Sequence, residues 1–198
     1  MNQNSQLRKI ISQQRRKLNS QQQKMIEFRC LKQCLKHPKF LNARKIGLYL
    51  DAFGEVKTKR LIEYCFAQGK KVYLPMICNM NNHLVWVQIS YQQYQNKRFS
   101  LHRLGMLEPM ASRGKHVSTL DVVIMPLLAC DIKGTRMGMG GGFYDRTLAS
   151  AFQQPHRLGL AHDFQFLHTE LARNSWDQSL DSLITPTKTY YFKRQIGQ

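Results

Sequence analysis

The sequence predicts an α/β protein, a single three-layer α/β/α domain over residues 1–198 with a mainly parallel open sheet and a basic helical segment, residues 1–40, packed on it. Three observations lead there. After Arg44, short apolar segments alternate with stretches whose apolar residues recur every three or four positions, the signature of βα units. The most apolar segment, residues 122–130, runs straight into a glycine-rich loop and then a helix. The first 45 residues carry twelve Lys or Arg against one acid, Glu27, so the opening helices present a charged face to solvent or to an anion.

Taken in order, the first helix shows Leu7, Ile10, Ile11 and Leu18 at helical spacing, with Arg8, Lys9, Arg15, Arg16 and Lys17 filling much of the remaining circumference. Ser20, with Gln23 three residues on, reads as a capping box opening a second helix that runs to about His37, where Pro38 stops it. Strands are expected at residues 45–50, 70–76, 83–89, 121–128, 157–161, 182–185 and 190–192, and helices at 56–68, 143–152 and 165–173. Residues 90–120, rich in Gln, Ser, Arg and His with Gly105, Pro109 and Gly114, read as an irregular excursion. There is no internal repeat and no clear linker.

Composition bounds the function. The 198 residues hold 30 Lys plus Arg against 12 Asp plus Glu, a net charge of +18, and 42% hydrophobic content suffices for one core. The longest apolar run is nine residues and contains Pro126, well short of the ~18 needed to span a bilayer. No apolar segment follows the basic N-terminus, so no secretory signal and a cytoplasmic location are expected. Five cysteines without a CxxC pair argue against a disulfide framework or a zinc ribbon, and Cys30 and Cys34 read as core positions. The seven histidines are scattered, and no structural metal is expected.

The informative segment is the loop, where Gly134, Gly138, Gly140, Gly141 and Gly142 fall within nine residues. Successive glycines let backbone N–H groups point into one concavity, and a helix starting at its end adds the positive end of its dipole; together these hold phosphate oxygens. Arg136 and Arg146 flank the loop as phosphate clamps, with Lys133 as a supplement. Asp131 and Asp145 are the carboxylates available to a magnesium ion that rides on a nucleotide. Neither GxxxxGK[ST] nor GxGxxG is present, so spacing alone reaches a phosphate-binding α/β domain and no further.

The string from Pro126 through Asp131, Gly134, Arg136 and Gly138 to Gly-Gly-Gly-Phe143-Tyr144-Asp145-Arg146 closely resembles the signature of the 5-formyltetrahydrofolate cyclo-ligase family. Leu7-Arg8 with Arg15-Arg16, residues 49–58, 105–109, 158–165 and 180–185 also resemble the family's segments in its order. The resemblance implies ATP- and Mg²⁺-dependent cyclisation of 5-formyltetrahydrofolate, its polyglutamylated forms included, to 5,10-methenyltetrahydrofolate, with release of ADP and phosphate. Carried over residue by residue, it implies catalytic roles for Arg136, Tyr144 and Arg146. ATP would be held by Arg8, Arg136, Met137, Gly138, Met139, Gly140, Gly141, Gly142, Phe143 and Tyr144. The folate would lie against Leu50, Glu55, Met139, Gly140, Gly141, Gly142 and Phe143. Asp145 would contact the metal and Asp181 would supply a second contact, or else serve as a turn carboxylate before its strand. Tyr49 and Trp86 read as core.

Two departures stand out: Asn4 and Gly141 fall where members of the family carry lysines. Two other readings compete. A nucleic-acid-binding protein would explain the charge, but no recognition module is present and the aromatics do not interleave with the basic run. A sugar-phosphate isomerase or CoA-transferase-like enzyme would share the architecture but leave the Gly-Gly-Phe-Tyr-Asp-Arg ending without purpose. Nothing in the sequence calls for an obligate assembly, and a monomer without a membrane partner is expected.

Overall fold

The computed structural model describes residues 3–78 and 80–194. Two helices open the chain, α1 (Gln3–Lys17) and α2 (Ser20–Cys34). The inward stripe of α1 runs through Leu7, Arg8, Ile11 and Arg15, whereas Ile10 faces solvent. The capping box of α2 is set one residue earlier than expected: the Asn19 side chain accepts from Gln22 N–H, and Gln22 Oε1 accepts from Asn19 N–H, both at 2.9 Å. Pro38, expected only to stop a helix, instead opens the short α3 (Pro38–Asn42) at a position where its missing N–H costs nothing, with His37 as the cap.

The chain then alternates: β1 (Lys45–Gly47), α4 (Lys59–Ala67), β2 (Lys71–Ile77), β3 (Leu84–Ile89), α5 (Tyr91–Gln95), β4 (Phe99–Leu101), β5 (Leu107–Pro109), β6 (Val122–Pro126), β7 (Ala129–Cys130), β8 (Arg136–Met137), α6 (Phe143–Ala149), β9 (His156–Leu160), β10 (Ser182–Ile184) and β11 (Thr189–Tyr191). Seven strands form the main sheet in the order β11-β10-β9-β6-β1-β2-β3. The five inner strands run parallel, and β3 and β11 add antiparallel edges. The fold is therefore α/β with a mostly parallel sheet. Residues 90–120, expected to be irregular, contain α5 and the β4–β5 hairpin.

Both faces of the sheet are covered, which is why β6 reads as an unbroken apolar run. Val122 and Ile124 point into a core shared with Phe40, Ile62 and the buried thiols Cys30, Cys34 and Cys65. Val123 and Met125 point into a second core with Trp86, Leu148 and Leu183. The helix expected over residues 165–173 is absent. A 3-10 turn (Asp163–Gln165) is followed by extended chain whose apolar residues divide between two clusters: Phe166 stacks on Tyr190 at 3.9 Å, while Leu167 and Leu171 pack with Leu128, Ala129 and Met137 and their N–H groups donate to Cys130 C=O and Asp131. Among the described residues, no helix is long and apolar enough to cross a membrane.

Candidate active site

The C-terminal ends of the parallel strands surround a cavity of about 580 Å³, the position where open α/β sheets bind ligands. Of the predicted site residues, Arg8, Leu50, Glu55 and the run from Arg136 to Arg146 line it, whereas Asp131, Lys133 and Asp181 do not. One wall is the glycine loop and the start of α6. Gly140 and Gly142 adopt positive φ, so the loop can reverse within three residues and deliver the chain to α6, whose first residues Phe143 and Tyr144 line the cavity. Arg8 Nε donates to Gly138 C=O at 3.2 Å, which fastens α1 to the loop.

Beneath that loop lies Arg136, 7% exposed, held in β8 by pairing with β7. Its Nη2 donates to Asp145 Oδ2 at 2.9 Å, its guanidinium lies 5.3 Å over the Tyr144 ring, and its Nε has no partner. Asp145 also accepts from Gln178 N–H through Oδ1 at 3.1 Å. Arg146 is exposed; it donates to Gly141 C=O at 2.6 Å and lies over the Phe143 ring at 5.3 Å. Arg136 is thus a buried charge set under the loop, and Arg146 braces it from outside.

The facing wall follows β1. Tyr49 is buried and donates to Val56 C=O at 2.9 Å, while still lining the cavity with Leu50. Residues 52–55 form a tight turn closed by Glu55 N–H to Ala52 C=O at 3.0 Å, with Phe53 at φ 52° and Gly54 at φ 76°. A left-handed phenylalanine is strained backbone, of the kind that collects at functional sites. The Glu55 carboxylate accepts from Ala52 N–H at 3.0 Å. Burial pushes its pKa up to about 7, with Asp51 adding to the rise and the Ala52 hydrogen bond and the Arg15 charge opposing it. Burial likewise raises the Tyr49 and Tyr144 hydroxyls, so both are protonated donors at neutral pH.

Some expectations land elsewhere. Asp181 sits at the N-terminal end of β10, on the opposite edge of the sheet, where it pairs with Arg194 and accepts from Arg157 N–H at 2.7 Å. The fold does not bring it to Asp145. Asp131 is buried behind the loop, its carboxylate taken by the N–H groups of Lys133, Thr135 and Leu171. Lys133 pairs with Glu170 at 2.8 Å instead of joining the cavity. Sequence reasoning missed the third wall, residues 171–177 with Leu171 and the exposed Trp176: the helix expected over residues 165–173 covers only its start, and nothing was expected of the rest. Among the described residues no group of three or more His, Cys, Asp or Glu is placed to hold a metal ion.

A model of the 5-formyltetrahydrofolate cyclo-ligase family matches residues 1–186. The 5-formyltetrahydrofolate cyclo-ligase of Escherichia coli (strain K12) is 34% identical over 185 residues, which are 91% of this chain and 99% of that protein. The one from Haemophilus influenzae is 31% identical over 182 residues, 90% of this chain and 95% of that protein. Among solved structures, the NMR structure of Aquifex aeolicus 5,10-methenyltetrahydrofolate synthetase superposes with a TM-score of 0.81 at 25% identity, covering 96% of this chain and 93% of that one.

Proposed function

The chain belongs to the 5-formyltetrahydrofolate cyclo-ligase family, a family of ligases, and on that premise we propose that it closes 5-formyltetrahydrofolate to 5,10-methenyltetrahydrofolate by way of ATP and Mg²⁺, through a phosphorylated formyl intermediate. The observation that carries this reading is the cavity in which the glycine loop with Arg136 faces the Leu50–Glu55 wall. Such a site can hold a triphosphate and a ring system side by side.

The N5-formyl group is amide-like and its carbon is a poor electrophile. Its oxygen attacks the γ-phosphorus, ADP leaves, and the carbon becomes an O-phosphorylated iminium. N10 then attacks that carbon, phosphate departs with the C–O bond, and the N10 proton passes to solvent or to phosphate. These steps require in-line placement and stabilisation of charge on the transferring phosphoryl group rather than a protein nucleophile. In this reading Arg8, Arg136 and the N–H groups of residues 137–144 bind ATP. Arg136 serves in a low-dielectric setting where its charge is strongest, the Tyr144 hydroxyl donates, and Arg146 holds the loop closed. Leu50 and Phe143 flank the pterin, and Glu55 accepts from its N–H groups when ionised.

The donor set fits a metal carried in by the nucleotide, since Mg²⁺ on phosphates takes only one or two protein carboxylates. Asp145, beside the loop, would supply that carboxylate, each of its oxygens having one lone pair not used by Arg136 or Gln178. When bound, such an ion neutralises phosphate charge. The test is to mix purified protein with 5-formyltetrahydrofolate, ATP and Mg²⁺ and follow the near-ultraviolet absorbance of the methenyl product. A rise that needs both ATP and Mg²⁺ supports the reading; no rise from a folded sample, or one indifferent to ATP, overturns it.

A further inference from the structure

Arg15 belongs to the basic run of α1 that the sequence presents as a solvated face, yet it is 1% exposed. A fully buried arginine is rare unless it is paired. Among the described residues it forms no ion pair with a carboxylate. Its Nη1 donates to Leu127 C=O at 3.4 Å at the exit of β6, its Nη2 lies 3.8 Å from Met139 Sδ in the glycine loop, and its Nε has no partner. Its backbone presses on the strained turn: a Cβ added at Gly54 would stand 3.0 Å from the Arg15 carbonyl oxygen and 3.1 Å from its Cβ. From the other side, His162 Nε2 meets Gly54 C=O at 3.0 Å. One cation therefore touches the loop and the β6 exit and packs against the turn that carries Glu55, three segments of the two facing walls.

We propose that Arg15 is a positioning residue that supplies the fixed positive charge opposite Glu55 and, through Met139 and Leu127, ties the Glu55 turn to the glycine loop. This rests on the folate reading of Glu55 given above. The charged and titratable groups whose fields bear on Glu55 are few: Arg15 from α1, Asp51 from its own segment, and the Tyr49 and Tyr144 hydroxyls from the β1 exit and α6. His162, behind the turn, is held neutral by burial. Arg15 is thus the one cation in this set, and Asp51 works against it. Without Arg15, the Ala52 N–H is what remains in this set to offset the burial of the carboxylate. With its pKa already pushed up to about 7, Glu55 would then take up its proton at higher pH still and at neutral pH turn from an acceptor into a donor facing the pterin N–H groups.

The experiment compares the wild type with Arg15→Met, which keeps volume and removes charge, and Arg15→Lys, which keeps charge and loses the fork. Two readouts are followed against pH: KM for 5-formyltetrahydrofolate, and the Glu55 carboxyl ¹³C shift in ligand-free protein. Arg15→Met is expected to move both acid limbs upward by about one unit or more, the shift an opposite charge at close range produces. Arg15→Lys leaves both limbs near the wild-type position. In a Glu55→Gln background, Arg15→Met should no longer add a pH-dependent loss. If Arg15→Met only lowers the melting temperature while both limbs stay in place, Arg15 is structural and the proposal fails. The ¹³C titration needs no substrate, so a protein that proves inactive on the folate would refute the functional reading and still decide the role of Arg15. Should Arg15→Met alone not fold, the Arg15→Met/Glu55→Gln pair removes the charge imbalance, and Arg15→Lys against wild type carries the titration. An Arg15→Lys variant whose Glu55 limb is displaced by as much as about one unit overturns the claim that charge is what matters.

Discussion

Asp131 offers the sharpest stability test, because one buried carboxylate joins two walls of the cavity. Its Oδ1 accepts from Lys133 N–H at 2.9 Å and Thr135 N–H at 2.8 Å, and its Oδ2 accepts from Leu171 N–H at 2.9 Å. In Asp131→Asn the amide oxygen can keep the first two bonds, but the NH₂ then faces the Leu171 N–H donor to donor. Losing one charge-assisted bond and leaving donors unpaired costs about 3 kcal/mol. For a chain of this size that lowers the melting temperature by roughly 6–12 °C. The damage is local in the first instance: residues 166–178 lose their anchor to the loop while the central sheet keeps all its pairs. Thermal unfolding followed by circular dichroism gives the first number, and hydrogen exchange resolved by peptide gives the second, with faster exchange expected in residues 166–178 and little change in β6 or β9. A variant that melts within about 2 °C of wild type with unaltered exchange in that segment would refute the reasoning, since a donor-for-acceptor swap at a buried site of this kind cannot be silent.

Other outcomes follow from the same geometry. Arg136→Ala removes the buried charge beneath the loop and is expected to lower kcat by about 10² or more, read in the methenyl absorbance assay at saturating substrates; near-native turnover would exclude Arg136 from the chemistry. At Gly141 an added Cβ would stand 2.5 Å from the Phe143 ring. Gly141→Lys is therefore expected to swing that ring off its wall and raise KM for the folate several-fold, in a titration where restoring a phosphate contact alone would instead lower KM for ATP. His37, His156 and His162 are all held neutral by burial, His156 down to about 4. Each binds its proton more readily when unfolded and so costs stability as pH drops from about 6.5 towards 4, whereas Glu55, raised to about 7, adds stability as pH drops through that value; the urea midpoint of His156→Gln should therefore hold up better than that of wild type between about 6.5 and 4.

What the sequence made legible, and what it hid, follows from whether partners are local. β6 could be read because both faces of that strand meet cores, so every residue is apolar, and the glycine loop could be read because its backbone needs are written in consecutive residues. Residues 165–173 mislead because Phe166, Leu167 and Leu171 reproduce helical spacing while Phe166 stacks on Tyr190 and the two leucines pack with Leu128 and Met137, their N–H groups bonded to Cys130 and Asp131, contacts no window can register. Asp181 misleads for the same reason: its partners Arg157 and Arg194 come from the neighbouring strand and the far C-terminal segment. Arg15 was hidden differently. On a helix crowded with bases, burial of one of them leaves no trace in the pattern, and only the close approach of α1 to Gly54 reveals it.

The net charge of +18 acquires a structural meaning once the carbonyls are counted among the partners. With so few acids, several cations satisfy backbone oxygens that the fold leaves open. Arg157 donates to Leu148 and Ala151 C=O at the end of α6, where a positive charge also complements the helix dipole. Lys70 donates to Leu41 and Ala43 C=O at the end of α3, and Arg194 reaches Phe152 and Pro155 C=O. Around the cavity the same device recurs with a different result: Arg8 and Arg146 each take a carbonyl, of Gly138 and Gly141. A carbonyl holds a guanidinium in place without neutralising it. Cations fixed this way around a cavity keep their field for an incoming anion, whereas pairing with carboxylates would have cancelled it.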